Sequence, residues 1–151
     1  MSIIFSRQCE YAIQAVLFLA LKPPDEKTPI RELTQQLGIP YHFVAKILQD
    51  LTRKGLLISL KGPSGGFALG MPAKEITVFH VVEAIDGVQF MQDCLLGFPE
   101  CSEKNRCGVH DQWATIRAST YQMLVSKTIS QMARETRKPQ YRQVKAAKRS
   151  G

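Results

Sequence analysis

The chain has 151 residues, 44% of them hydrophobic, which suits one folded domain with an added association helix and excludes wholesale disorder. Its formal charge of +7 and pI near 9.4 call for an anionic partner, with nucleic acid or an anionic membrane surface the usual ones. The longest apolar stretch, Ala12 to Leu21, is broken by Gln14 and too short to span a bilayer, and Met1 to Arg7 lacks the marks of a secretion signal, so a cytoplasmic protein with no membrane partner is expected.

Ser6 to Leu21 reads as a helix with Ser6 as N-cap and Tyr11, Ala15, Leu17, Phe18, Ala20 and Leu21 on its apolar face. Lys22-Pro23-Pro24-Asp25 stops it. Thr28-Pro29 has the chemistry of a helix start, with Thr28 as N-cap, and Ile30, Leu33 and Leu37 space a short amphipathic helix up to Gly38. After the turn Gly38-Ile39-Pro40, a third helix is predicted from about Tyr41 to Lys54, with Phe43, Val44, Ile47, Leu48 and Leu51 inward. Leu56 to Leu60 and Phe67 to Leu69 flank a glycine-rich turn and predict a β-hairpin. Thr77 caps a further helix ending near Asp86-Gly87, Met91 to Val109 is a loop, and His110 to about Lys138 reads as one long helix.

The expected fold is therefore mainly α with a small hairpin wing, a winged helix-turn-helix followed by a long C-terminal helix. The expected divisions are a helix-turn-helix and hairpin unit over 1–90, a cysteine-bearing loop over 91–109, an association helix over 110–138 and a disordered basic tail over 139–151. Residues 137–151 carry six Lys or Arg and no acidic side chain.

Helix, Gly-Ile-Pro turn and helix match the geometry in which a second helix enters the major groove of B-DNA. Its N-terminal exposed positions, Tyr41, His42 and Lys46, are placed to read base edges, whereas Arg53 and Lys54 at its far end suit phosphate. On the hairpin, Lys61, Ser64 and Gly65 let charge and bare backbone approach a phosphate or the minor groove. A hairpin and helix pair that merely build a core is the bland alternative; the order of these elements and the basic balance speak against it.

Cys94-x6-Cys101-x5-Cys107 places three thiols in one loop. In a reducing compartment such thiols are metal ligands or redox groups, and thiolates are the usual ligands of iron–sulfur clusters, in a two-iron or four-iron form that spacing does not decide. Lys104 and Arg106 are expected to favour the thiolate. A fourth ligand is needed: His110, Glu10 from a partner's first helix, and Cys9 are the candidates, although Cys9 lies in an apolar helix and Glu10 suits a surface role. Zinc held by three Cys and a His, or metal-free redox thiols, are the competing readings. Trp113 is expected to pack a dimer core close to the cysteines. No nucleotide loop or oriented nucleophile–base pair is present, so an enzyme is not expected.

The segments Glu10-Tyr11-Ala12-Ile13, Gly38-Ile39-Pro40, Ile47-Leu48-Gln49-Asp50-Leu51, Lys54-Gly55-Leu56-Leu57 and Gly62-Pro63-Ser64-Gly65-Gly66-Phe67-Ala68-Leu69 resemble the Rrf2 family, the IscR/NsrR group of winged-helix regulators. The resemblance extends to about Ala133. It implies a homodimer on the C-terminal helix, binding a pseudo-palindromic double-stranded DNA operator through two recognition helices and two wings. It also implies that Cys94, Cys101 and Cys107 hold an iron–sulfur cluster responding to iron, redox state or nitric oxide, with His110 or a partner's Glu10 completing it. The chain departs from the family pattern in three places: Lys61 stands where the wing usually opens with arginine, the recognition helix opens Tyr41-His42-Phe43-Val44-Ala45-Lys46 where relatives often carry Ser-Tyr-Leu, and the first cysteine gap is six residues where five is common. A cluster-free or zinc-binding regulator answering a small molecule, a partner protein or thiol oxidation is the alternative.

Overall fold

The computed structural model describes residues 4–136. Helices α1 (Arg7–Ala20), α2 (Ile30–Leu37) and α3 (Tyr41–Arg53) are followed by strands β1 (Leu57–Leu60) and β2 (Gly66–Leu69), then α4 (Val78–Asp86), α5 (His110–Ser126) and α6 (Ile129–Glu135). No helix among the described residues is long and apolar enough to cross a membrane. The expected tail over 139–151 lies outside the described residues.

Helix α1 starts where Ser6 accepts from the Cys9 amide at 3.1 Å, so the predicted cap is in place. The Ser6 amide also donates to Asp86 Oδ2 at 2.8 Å, and its hydroxyl donates to the other Asp86 oxygen. That double contact ties the start of α1 to the end of α4. The buried face of α1 is Cys9, Ala12, Ala15, Val16, Leu17 and Leu19; of the expected apolar residues Ala15 and Leu17 are buried, Tyr11, Phe18 and Ala20 pack against the core partly buried, and Leu21 is exposed. Helix α3 buries Val44, Ile47, Leu48 and Leu51 as predicted, and Phe43 sits at the margin with its ring 6.4 Å from Tyr11.

Two expectations are corrected. Thr28 does not cap α2; Pro29 occupies that position. Thr28 is fully buried and exchanges both backbone hydrogen bonds with Phe67 at 2.8 Å, adding a one-residue third strand to the antiparallel hairpin. The pairing satisfies two backbone groups that a cap would leave to solvent. It also brings backbone so close to Gly66 that a Cβ there would lie 2.5 Å from the Thr28 oxygen. Gly66→Ala is expected to lose about 2 kcal/mol of stability by forcing these strands apart, read as a lower urea midpoint.

The second correction concerns the long helix over 110–138, which is two helices among the described residues. The chain breaks at Lys127 and Thr128, where Thr128 accepts from the Gln131 amide at 3.1 Å and Gln131 returns a bond to the Thr128 amide at 3.0 Å. The Val78 amide bonds the Lys127 carbonyl at 3.0 Å and the Ile129 amide bonds the Ile76 carbonyl at 2.7 Å. This bridge turns the chain so that Ile129, fully buried, and Ala133 enter the main core beside α1. Burying Ile129 stabilises the break by about 2 kcal/mol, which a straight helix would forgo.

Candidate metal centre and nucleic-acid interface

Gly38, at φ 67°, makes the left-handed turn that ends α2 and aims α3. Tyr41, His42 and Lys46 are exposed on α3, and the His42 ring lies beside Phe43, with centroids 4.4 Å apart and planes tilted by 36°. Arg53, Lys54, Lys61 and Ser64 are exposed as well. Asp50, which the sequence reading passed over, accepts from Lys46 at 2.9 Å and from Arg53 at 2.7 Å on one carboxylate oxygen. Two of the expected DNA-contacting cations are thus held within the helix in the free protein. Lys54 and Lys61 have no carboxylate partner among the described residues. At the wing turn the Gly65 amide bonds the Gly62 carbonyl at 3.0 Å, and a Cβ on Gly65 would collide with the Leu60 carbonyl.

A run of tight turns gathers the cysteine loop. The Gly97 amide bonds the Cys94 carbonyl at 3.0 Å, with Gly97 at φ 82°. Ser102 and Asn105 exchange backbone bonds of 3.1 and 3.0 Å, and the His110 amide bonds the Cys107 carbonyl at 3.2 Å. These turns bring the Cys94, Cys101 and Cys107 sulfurs within 4.8 Å of one another. The Cys94 and Cys107 sulfurs are 3.7 Å apart, and Cys101 Sγ lies 3.3 Å from His110 Nδ1.

The other imidazole nitrogen, Nε2, is 3.2 Å from Glu103 Oε1. The tautomer with its proton on Nε2 donates to that carboxylate and leaves the Nδ1 lone pair facing the thiols, the arrangement of a metal-binding histidine with its supporting acid. Contact with His110, then with Arg106, holds the Glu103 carboxyl below its ordinary range. From α5, Trp113 donates to the Asp93 carbonyl at 3.0 Å and Arg117 donates to the Met91 carbonyl at 2.8 Å. The chain just before Cys94 is thereby docked on α5. A cavity of about 20 Å³ joins Cys94, Cys101, Cys107, His110, Trp113 and Arg117.

The thiols differ in character. Burial pushes Cys94 up, but the Phe98 and Leu96 amides and the neighbouring thiols outweigh it and bring it down to about 7. The Cys107 amide lowers Cys101, yet burial and the other two thiols leave it raised on balance. Arg106 does not serve the thiols as expected; it pairs with Glu103 at 2.6 Å and Asp111 at 3.1 Å. Cys9 is fully buried beside Val78, Val82 and Leu124, and burial first, then Asp86, pushes it up to about 12. It stays a thiol in the core, as its apolar surroundings suggested. Glu10 stands half-buried in the first turn of α1 and is not among the residues lining this cavity.

The donor set suits a thiophilic metal group. A tetrahedral ion with metal–sulfur bonds of about 2.3 Å places two ligand sulfurs about 3.8 Å apart. Cys94 with Cys107, and Cys101 with His110 Nδ1, are each spaced as two ligands of a metal, so these four side chains would suit a thiophilic metal ion or an iron–sulfur group. Glu103 and Arg117 were missed in the sequence, although His110, Trp113 and Arg117 recur at three and four residues, the spacing of one helix face.

Comparison with known proteins adds the following. A family model, Rrf2, described as an iron-dependent transcriptional regulator, matches residues 5–135. An HTH-type transcriptional regulator of Aquifex aeolicus is 32% identical over 131 residues, covering 85% of this chain and 90% of the relative. The HTH-type transcriptional regulator IscR of Yersinia pseudotuberculosis is 30% identical over 122 residues, covering 81% and 74%. Among solved structures, CymR, the global cysteine regulator of B. subtilis, superposes with a TM-score of 0.74 at 22% identity, over 89% of this chain and 98% of that one. IscR of T. potens superposes with a TM-score of 0.69 at 19% identity, over 90% and 88%. These two likenesses establish the winged-helix fold.

Proposed function

Because the chain belongs to the Rrf2 family of transcriptional regulators and its relatives are regulators, not enzymes, we propose that it is a cytoplasmic homodimer whose operator binding depends on an iron–sulfur group. The ligands in this reading are Cys94, Cys101, Cys107 and His110. The observation that carries it is the convergence of three thiols within 4.8 Å, with an imidazole nitrogen 3.3 Å from one of them. When bound, such a group supplies a centre sensitive to iron supply, oxidants or nitric oxide.

The chain's own residues turn occupancy into geometry. Cys94, Cys101 and Cys107 hold the loop closed on His110, and Trp113 and Arg117 fix that loop to α5. Helix α5 leads into the Lys127–Thr128 break, which is bonded to the start of α4. Opening the loop frees α5 to reseat against its partner copy, and the separation of the two α3 helices changes with it. Half-sites lie a fixed helical repeat apart, so a small change in separation costs one of two contacts. Tyr41, His42 and Lys46 read the bases of a pseudo-palindromic operator in this account, and Arg53, Lys54, Lys61, Ser64 and Gly65 hold its backbone.

Ile116 and Met123, two turns apart on α5, are each about half exposed at 50% and 51%, and a second copy of α5 is the partner that covers them. Ile116→Lys is expected to convert dimer to monomer in size-exclusion chromatography with light scattering, without loss of helical signal. A zinc regulator is the second reading, favoured by a sulfur triangle compact enough for one tetrahedral ion. Anaerobic purification separates the two: brown protein with matching iron and acid-labile sulfide supports the cluster, and colourless protein with zinc alone overturns it.

A further inference from the structure

We propose that Arg117 is the cationic hydrogen-bond donor of the metal centre, its Nε–H bonding a sulfur of the group held by Cys94, Cys101 and Cys107. This rests on the iron–sulfur reading above. Among the described residues only two buried side-chain nitrogen or oxygen atoms have no partner, Thr28 Oγ1 and Arg117 Nε. The first is a neutral hydroxyl within the core, next to backbone pairing. The second belongs to a guanidinium, the costlier group to leave unpaired, since hydrogen bonds to charged groups are about twice as strong as neutral ones.

Arg117 cannot turn its Nε away to water at no cost. Its Nη1 is held by the Met91 carbonyl at 2.8 Å, and the planar guanidinium fixes Nε relative to Nη1. The small cavity that Arg117 lines is shared with all three thiols and His110. The protein sulfurs there are already engaged, Cys94 with Cys107 and Cys101 with His110. What the site lacks is one more acceptor, and a bridging sulfide or a metal-bound thiolate is an acceptor of the right kind.

The chemistry has a direction. Three thiolates and a neutral imidazole give the loaded site an excess of negative charge, and one added electron increases it. A partly buried cation bonded to sulfur through its buried Nε–H favours that more negative state, so it raises the reduction potential. Arg117 then does two things with one side chain. It anchors the Met91 carbonyl, which leads into Cys94, and it sets how easily a one-electron reductant or oxidant changes the centre.

The test is an anaerobic redox titration, with dithionite and mediator dyes, of the reconstituted full-length wild type, Arg117→Lys and Arg117→Met, followed by visible absorbance. Loading is measured as iron and acid-labile sulfide, and folding by circular dichroism. The expected result is a lower midpoint potential in Arg117→Met than in wild type, with Arg117→Lys between them because it keeps charge but not the Nε–H. A fully loaded Arg117→Met with an unmoved potential overturns the proposal. Should Arg117→Met fail to load, Arg117→Lys decides: a lowered potential supports the bond and an unchanged one overturns it. A wild type that takes up no iron removes the iron–sulfur reading and this inference together, whereas a loaded wild type with unmoved variants removes only the role of Arg117.

Discussion

Cys101→Ala is expected to abolish the metal centre, with loss of visible absorbance and an affinity for the group reduced by well over about 100-fold. Outer-layer changes alone commonly cost about 10 to 100-fold, and Cys101 is a direct donor in the proposed function, its sulfur 3.3 Å from His110 Nδ1. Removing it breaks the pair that His110 completes and leaves only Cys94 and Cys107 spaced for one metal. The contrasting variant is Cys9→Ala. Cys9 is fully buried in the α1–α4–α5 core and held as a thiol, so its loss should leave metal content unchanged and cost only about 1 kcal/mol of stability. Iron, sulfide and zinc analysis of both proteins, prepared side by side, checks the expectation. Equal loss of metal in the two would mean that the Cys101 variant fails through folding.

The second large effect is on DNA. Arg53→Ala, Lys54→Ala and Lys61→Ala combined should weaken operator binding by on the order of a thousandfold at physiological salt. With one phosphate for each of these residues in both copies of the proposed dimer, six contacts are lost, and at about 0.9 per contact the slope of log affinity against log salt should become shallower by about 5. The three residues are not equal. Arg53 already shares Asp50 with Lys46 and would exchange one anion for another on binding, whereas Lys54 and Lys61 have no carboxylate partner among the described residues. Single substitutions of Lys54 or Lys61 should therefore cost more than that of Arg53. Sequence preference should survive the triple change, because phosphate contacts set register and not base identity. Fluorescence anisotropy over a salt series reads affinity and slope together.

What was legible in the sequence was local. The turn at Gly38, the hairpin around Gly65-Gly66 and the apolar spacing of α3 are set by residues within a few positions, and each appears where expected. The three cysteines and His110 were legible for the same reason, since short spacing on one loop forces their proximity. What escaped was set by distant partners. Thr28 looks like a helix cap until Phe67 offers it a strand. The long helix carries its own stop signal, Thr128 with Gln131, but periodic apolar residues on both sides hid it; only the core site for Ile129 makes the break pay. On α1, Ala15 and Leu17 are buried as expected, whereas Leu21, next to the Lys22-Pro23 stop, is exposed. Arg106 was assigned to the thiols by proximity in sequence, yet Glu103 and Asp111 claim it. The cation that does line the cysteine cavity, Arg117, lies two helical turns into α5.

In the proposed function one chain couples a cysteine-held metal group to DNA binding. The most direct test of that coupling selects an operator from a random duplex pool with the metal-loaded dimer. The same preparation is then titrated against that operator, loaded and after anaerobic chelator stripping, at one fixed salt concentration. The account requires the two affinities to differ by at least about 10-fold, the smallest effect expected when one half-site contact is gained or lost with the geometry of α5. Superimposable isotherms from demonstrably loaded and stripped protein would contradict it.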